Sequence, residues 1–313
     1  MHEQRLLRIG RELFLAAFGL PLGEVDTWVI DRLTSMLEER DFYAGQTLLS
    51  AGEPVESLLF VHDGGVRLTR RSGLSWTMQG HWVIGGFDVL SDRPVTYSVT
   101  ALRDFQGMTV PAAAWIELLE DSSQLSRQLV VNMSRTLARL QERIPREPPS
   151  SPGVPALLSP PSGGLVLVER LALLLDVGML RLAGVQALAD LAAASRHLFF
   201  APGELVVERG VEPEHLVRIV EGEVVGECAA PEMERRFGPA DLVCAEAILG
   251  RVAGPWQARA TMPTRGLSFP IETLFELMEE HFDLVRSTVV AFGSRREVLL
   301  DHLAKQSAPL VLT

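Results

Sequence analysis

The chain has 313 residues, 47% hydrophobic and 22% charged, a composition that excludes a disordered protein and gives room for two cores. Its formal net charge of −11 argues against a surface built to coat phosphate backbones, so nucleic acid is not expected as a partner. The two cysteines, Cys228 and Cys244, form no CxxC, which leaves no disulfide framework or cysteine zinc site and fits a reducing, cytoplasmic compartment.

The N-terminal segment carries charges through Glu12 and lacks a small-residue cleavage site, so it reads as a helix rather than a signal peptide. Residues 24–39 place Val25, Trp28, Val29, Leu33, Met36 and Leu37 at helical spacing. Short apolar runs follow, predicting strands at Thr47–Leu49, Leu58–Val61, Val66–Arg70, Ser75–Gln79, Val83–Ile84, Tyr97–Leu102 and Arg103–Thr109. Helical periodicity returns over Ala112–Leu119 and Ser122–Ile144, and in the second of these Leu125, Leu129, Met133, Leu137 and Leu140 form one apolar stripe. Residues 145–164 are rich in proline, serine and glycine and read as a linker. Beyond it lie helices within Leu165–Ala194, strands between Leu198 and Leu267, and helices over Ile271–Glu280 and Phe282–Leu303. Leu165–Ala194 is the most apolar later stretch, but Glu169, Arg170, Asp176, Arg181 and Asp190 interrupt it, so no membrane span of about 20 apolar residues is expected. The expected organisation is a first domain over 1–144, the linker 145–164, a second domain over 165–306 and a tail over 307–313.

The two halves repeat one another. Gly45 and Gly203 stand 158 residues apart (203 − 45), and the same offset carries Gly52 to Gly210, Leu58 to Leu216, Val61 to Ile219, Gly64 to Gly222 and Val66 to Val224. In each copy glycines separate short apolar runs, the pattern of short strands joined by tight turns. This glycine and strand pattern resembles the opening of the cyclic-nucleotide-binding domain family, the β-roll of catabolite activator proteins and protein kinase A regulatory subunits. The resemblance covers about 24–144 and 165–303. It implies an α+β fold, mainly β, with two jelly-roll-like β-rolls each flanked by helices.

In that family a segment between two strands cradles the nucleotide: a Gly-Glu pair, then Pro-Arg and a closing apolar strand. The arginine fork neutralises the cyclic phosphate, the glutamate accepts from the ribose hydroxyl, and backbone N–H groups hold the remaining oxygens. Here Gly85 matches the family glycine and Pro94 the proline, while Gly86 stands at the glutamate position and Val95 at the arginine position. Arg93 is the nearest alternative cation. In the second half Glu246 is the candidate ribose glutamate, Gly254 or Pro255 takes the arginine position, and Arg251 or Arg259 is the candidate replacement.

The seven histidines show no HxxxH or HExxH spacing and no GxSxG occurs, so neither a metal, a cofactor nor an enzymatic function is expected. The sequence therefore points to a non-enzymatic regulatory or scaffold protein with degenerate nucleotide sites, acting through an unidentified protein partner. The stripe through Leu125 and Leu140 is its expected homodimer surface, since the family often pairs subunits through that helix. The alternative is a sensor of a cyclic nucleotide or other anionic ligand, using Arg93, Arg251, Glu246 or the aromatics Trp82, Tyr97 and Trp256 in a rearranged pocket.

Overall fold

The computed structural model describes residues 25–61, 63–71, 73–80, 82–91, 94–142, 165–229, 232–254, 256–306 and 311–312. The linker expected at 145–164 and the N-terminal helix lie outside them. Two compact units are present, one of residues 1–129 with 303–313 and the other of residues 130–302. The division falls inside a helix that the sequence assigns wholly to the first domain.

The first unit opens with α1 (Thr27–Met36), which buries Val29 and Leu33. Eight strands follow: β1 (Glu38–Phe42), β2 (Thr47–Leu49), β3 (Ser57–Val61), β4 (Gly65–Arg70), β5 (Ser75–Gln79), β6 (Trp82–Ile84), β7 (Tyr97–Ala101) and β8 (Phe105–Pro111). They form an antiparallel sheet β1-β8-β3-β6 and a second sheet β5-β4-β7-β2, to whose β5 edge the tail strand Val311–Leu312 adds in parallel. Helices α2 (Ala112–Asp121) and α3 (Ser123–Gln141) come next. The expected helix over 24–39 is shorter than its apolar spacing suggests, because Glu38 to Phe42 pair with β8 from Thr109 back to Phe105. The run EERDF has no alternation to announce a strand; its pairing comes from the partner.

The second unit repeats the plan. Helices α4 (Leu167–Leu175) and α5 (Val185–Ala194) precede β9 (Arg196–Phe200), β10 (Leu205–Val207), β11 (His215–Glu221), β12 (Val224–Ala229) and β13 (Glu232–Phe237). After the short helix α6 (Ala245–Leu249) come β14 (Trp256–Ala260), β15 (Thr264–Pro270), α7 (Ile271–Glu280) and α8 (Phe282–Gln306). The sheets are β11-β15-β9 and β10-β14-β12-β13. Leu58, Val61, Val66 and Val99 in the first roll, and Leu216, Ile219, Val224 and Leu267 in the second, all have no exposed surface; β3 and β11 are buried in continuous runs, so both of their faces are covered. The expected fold of two helix-flanked β-rolls is the fold observed.

The repeated glycines serve different needs. Gly45, Gly52, Gly203 and Gly210 take positive φ at the turns before and after β2 and β10. Gly64 does not, yet a Cβ there would meet Phe105 at 2.7 Å, whereas its counterpart Gly222 combines φ of +93° with a Cβ position 2.7 Å from Thr264 Cα and 2.8 Å from the Pro263 carbonyl. Gly222→Ala is therefore expected to lose roughly 2 to 5 kcal/mol, combining left-handed strain with overpacking against backbone. Urea unfolding checks this, and an unchanged midpoint would contradict it.

The stripe expected to meet a second copy is covered within its own chain. Leu125 and Leu137 are fully buried, and Leu129, Met133 and Leu140 nearly so. Met133 Cε sits beside Gly293 of α8, 3.6 Å from where a Cβ would stand, and Arg135 Nε donates to the Gly250 carbonyl at 2.7 Å, closing the C-terminal end of α6. The spacing marks an apolar face, but the hydrophobic effect is non-directional and the face is buried within the chain.

Candidate functional site

The cradle of the first roll follows β6. Gly85 has φ of +85°, and a Cβ there would lie 2.8 Å from Val55 Cγ1, so the backbone turn requires glycine. Val89 N–H donates to the Gly85 carbonyl at 2.9 Å, opening a short 3-10 turn over Asp88–Leu90. Arg93 lies outside the described residues. Val95, at the arginine position, is 4% exposed. Its N–H donates to the Glu53 carbonyl at 3.0 Å and its carbonyl accepts from Gly52 N–H at 2.9 Å, so it bridges the cradle to the turn before β3.

The same backbone bonds align the second roll. Gly203 N–H donates to Ala260 as Gly45 N–H does to Ala101, and Gly210 N–H donates to Gly254 as Gly52 N–H does to Val95. The offset has grown from 158 to 159 residues (254 − 95), which puts Gly254 at the arginine position. Ile248 N–H donates to Cys244 as Val89 N–H does to Gly85, so Ala245 matches Gly86 and Glu246 stands one residue past the ribose position.

Glu246 is 7% exposed and lines a cavity of about 280 Å³. Its Oε2 lies 3.5 Å from Arg235 Nη1 and its Oε1 lies 3.9 Å from Arg295 Nε. Arg251 is not part of this group. It pairs with Glu272 and, at 3.6 Å, with Glu212, and its guanidinium sits 5.5 Å over the Phe275 ring. Arg259 donates to the Gly203 carbonyl at 2.9 Å. Among the aromatics, Trp82 donates its indole N–H to the Gln79 carbonyl and Trp256 is buried in β14.

Sequence reasoning passed over a polar group inside the first roll. Arg70 is 8% exposed and lies across β4 and β7 from Tyr97, with Nη2 donating to Thr96 Oγ1 at 3.3 Å. The Tyr97 hydroxyl donates to Asp88 Oδ2 at 2.5 Å. Strand alternation could have flagged this cation, since Val66, Leu68 and Arg70 share one face.

Burial governs the ionisation of the second unit. Arg218 has no exposed surface, and desolvation lowers its pKa while the carboxylates of Asp176 and Asp241 hold it up. Desolvation also lowers Arg295. Cys244, left-handed with φ of +50°, has its thiol pushed up to about 12 by burial, with Arg235 opposing and Glu246 adding to the rise. The folded protein therefore keeps this proton above pH 9, where the unfolded chain releases it, and stability falls as pH rises beyond about 9. Native Cys244 is expected to resist a thiol reagent at pH 8 and to react once the chain unfolds; rapid native labelling at Cys244 would contradict this.

Among the described residues no group of three or more His, Cys, Asp or Glu is placed to hold a metal. Nor is any helix among them long and apolar enough to cross a membrane.

Residues 39–122 match the family model of the cyclic nucleotide-binding domain. This segment belongs to that family. The match spans all eight strands of the first roll and the cradle between β6 and β7. The chain is 27% identical over 135 residues to the CRP-like cAMP-activated global transcriptional regulator of Mycobacterium tuberculosis, covering 42% of this chain and 60% of that protein. It is 28% identical over 137 residues to an uncharacterized NTE family protein of the same species, covering 43% of this chain and 24% of that one. A solved cAMP-binding acyltransferase from Mycobacterium smegmatis is 18% identical over 44% of this chain and 43% of its own, with a TM-score of 0.35. The chain thus matches only part of the length of these relatives. The expectation that the chain is not an enzyme is corrected here: its relatives include a protein of the NTE family, so the similarity does not exclude catalysis.

Proposed function

We propose that the chain is a regulatory protein whose two β-rolls have lost the family's phosphate and ribose anchors and act by protein association. The observation that carries this reading is Val95. A buried apolar side chain occupies the arginine position, its backbone is held on both sides by the turn at Gly52 and Glu53, and the glutamate position is Gly86. In the second roll Ala245 and Gly254 stand at the same two places. A cyclic phosphate entering either cradle would lose its hydration without a guanidinium in return. Two buried cysteines suit a reducing compartment. Light scattering of the full chain with and without cyclic AMP tests the reading. The association state should not respond to the nucleotide; a ligand-driven change would overturn it.

A second reading rests on Arg70. Its guanidinium lies inside the first roll beside Thr96, the residue after Val95, and would supply the anion contact from β4 rather than from the cradle. On this reading any binding of a cyclic nucleotide disappears in Arg70→Gln, and binding that survives the substitution rules it out.

A further inference from the structure

In the first roll β5 has a strand on each side. On one side β4 pairs with all five of its residues, from Gly65 opposite Gln79 to Thr69 opposite Ser75. On the other the tail strand Val311–Leu312 lies parallel and takes two of them, Val311 beside Thr77 and Leu312 beside Met78. Among the described residues Ser75, Trp76 and Gln79 have no strand partner on that side. The edge is longer than the segment that fills it.

The two rolls treat this edge differently. The matching strand of the second roll is β13, which pairs with β12 as β5 pairs with β4 and ends its sheet with no further strand among the described residues. It carries Glu234 and Arg236, whose side chains are 54% and 64% exposed and pair with each other at 3.0 Å. Exposed charges of this kind keep a sheet edge from pairing with another chain. β5 reads Ser-Trp-Thr-Met-Gln and has neither a charge nor a proline. Its Trp76 and Met78 are buried, so the edge offers an incoming strand its backbone N–H and C=O groups and no charged side chain. The tail, SAPLVLT over residues 307–313, is likewise uncharged.

We propose that the β5 edge is a docking site for an extended, uncharged, apolar segment of a partner protein, and that Val311 and Leu312 occupy it within the chain as a replaceable plug. In strand addition main-chain hydrogen bonds supply the attachment, so it strengthens with the length paired. The tail uses two of the five positions, and a longer segment running along Ser75–Gln79 gains bonds that the tail does not make. The tail's advantage is its tether, since a short connection gives an effective concentration of about millimolar. The edge is therefore closed to short peptides and open to a longer strand. Nothing in this depends on whether either cradle binds a nucleotide.

The test is hydrogen exchange over β5, read by mass spectrometry, in the full chain, in a chain ending at Gln306, and in the full chain carrying Val311→Pro with Leu312→Pro. Neighbouring N–H groups of a strand point opposite ways, so the double substitution removes the one that faces β5. Exchange over β5 is expected to be about tenfold faster or more in both altered chains than in the full chain. A synthetic peptide of residues 307–313 should restore protection to the shortened chain, its double-proline version should not, and the full chain should respond to neither below about millimolar concentration. Melting curves show that the altered chains fold, and the double-proline chain keeps the full length if the shortened one does not. Unchanged exchange over β5 in both altered chains overturns the proposal, as does a peptide that protects nothing at roughly millimolar concentration. Protection in the full chain that fades on dilution would place a second copy's tail on the edge and overturn the plug.

Discussion

Replacing Leu137 by glutamate is expected to unfold the part of the chain that α3 covers rather than to separate subunits. Leu137 has no exposed surface, and its neighbours along the stripe, Met133 and Leu140, are 1% and 7% exposed. Removing a buried leucine costs about 2–5 kcal/mol before anything replaces it, and an unpaired carboxylate in the same place adds its desolvation. A total of roughly 5 kcal/mol or more rivals the whole stability of a typical domain, about 5–15 kcal/mol. The expected result is loss of the cooperative unfolding transition at room temperature, or a much lower urea midpoint. A folded variant of unchanged midpoint and reduced mass by light scattering would mean that the stripe is an intersubunit seam after all.

Introducing the family's glutamate and arginine into the first cradle is expected to create nucleotide affinity. Each hydrogen bond to a charged group contributes about 1.5–3 kcal/mol, and an arginine fork makes two. At about 1.4 kcal/mol per tenfold, Gly86→Glu with Val95→Arg should tighten binding of cyclic AMP by two orders of magnitude or more. Local packing opposes the gain mainly at Val95, a buried site where overpacking costs about 1–3 kcal/mol, and less at Gly86. A Cβ at Gly86 would sit 3.2 Å from Val83 Cγ1, a side-chain methyl able to give by a few tenths of an ångström. Val95 keeps its two backbone bonds whatever its side chain. Calorimetry on the wild type and the double variant, with melting curves for both, reads the difference. A folded double variant no tighter than wild type would show that the cradle has closed over its site.

The rolls were legible because their punctuation is local. Gly45, Gly52, Gly203 and Gly210 are required by positive φ, and a turn that only glycine tolerates shows in the sequence whatever surrounds it. β1 was not legible: EERDF becomes a strand through pairing with Phe105 to Thr109, some sixty residues away (105 − 42 = 63). The stripe from Leu125 to Leu140 was legible as a face but not as a contact, since spacing says that a surface is apolar and nothing about what covers it. At the cradle, Gly86 and Val95 are assigned on the resemblance alone, whereas the one-residue shift in the second roll shows in the bonds from Gly210 to Gly254 and from Ile248 to Cys244. The group of Arg235, Glu246 and Arg295 draws on a strand, a short helix and a long helix, and no spacing rule joins them.

The central claim is that a cyclic nucleotide-binding domain is present without the anchors that hold the nucleotide's phosphate and ribose. Its most direct measurement is a calorimetric titration of the full wild-type chain with cyclic AMP. A site that would be micromolar with both anchors weakens to about millimolar or worse without them, so no saturable heat is predicted in the micromolar range. Stoichiometric binding with micromolar affinity would contradict the account.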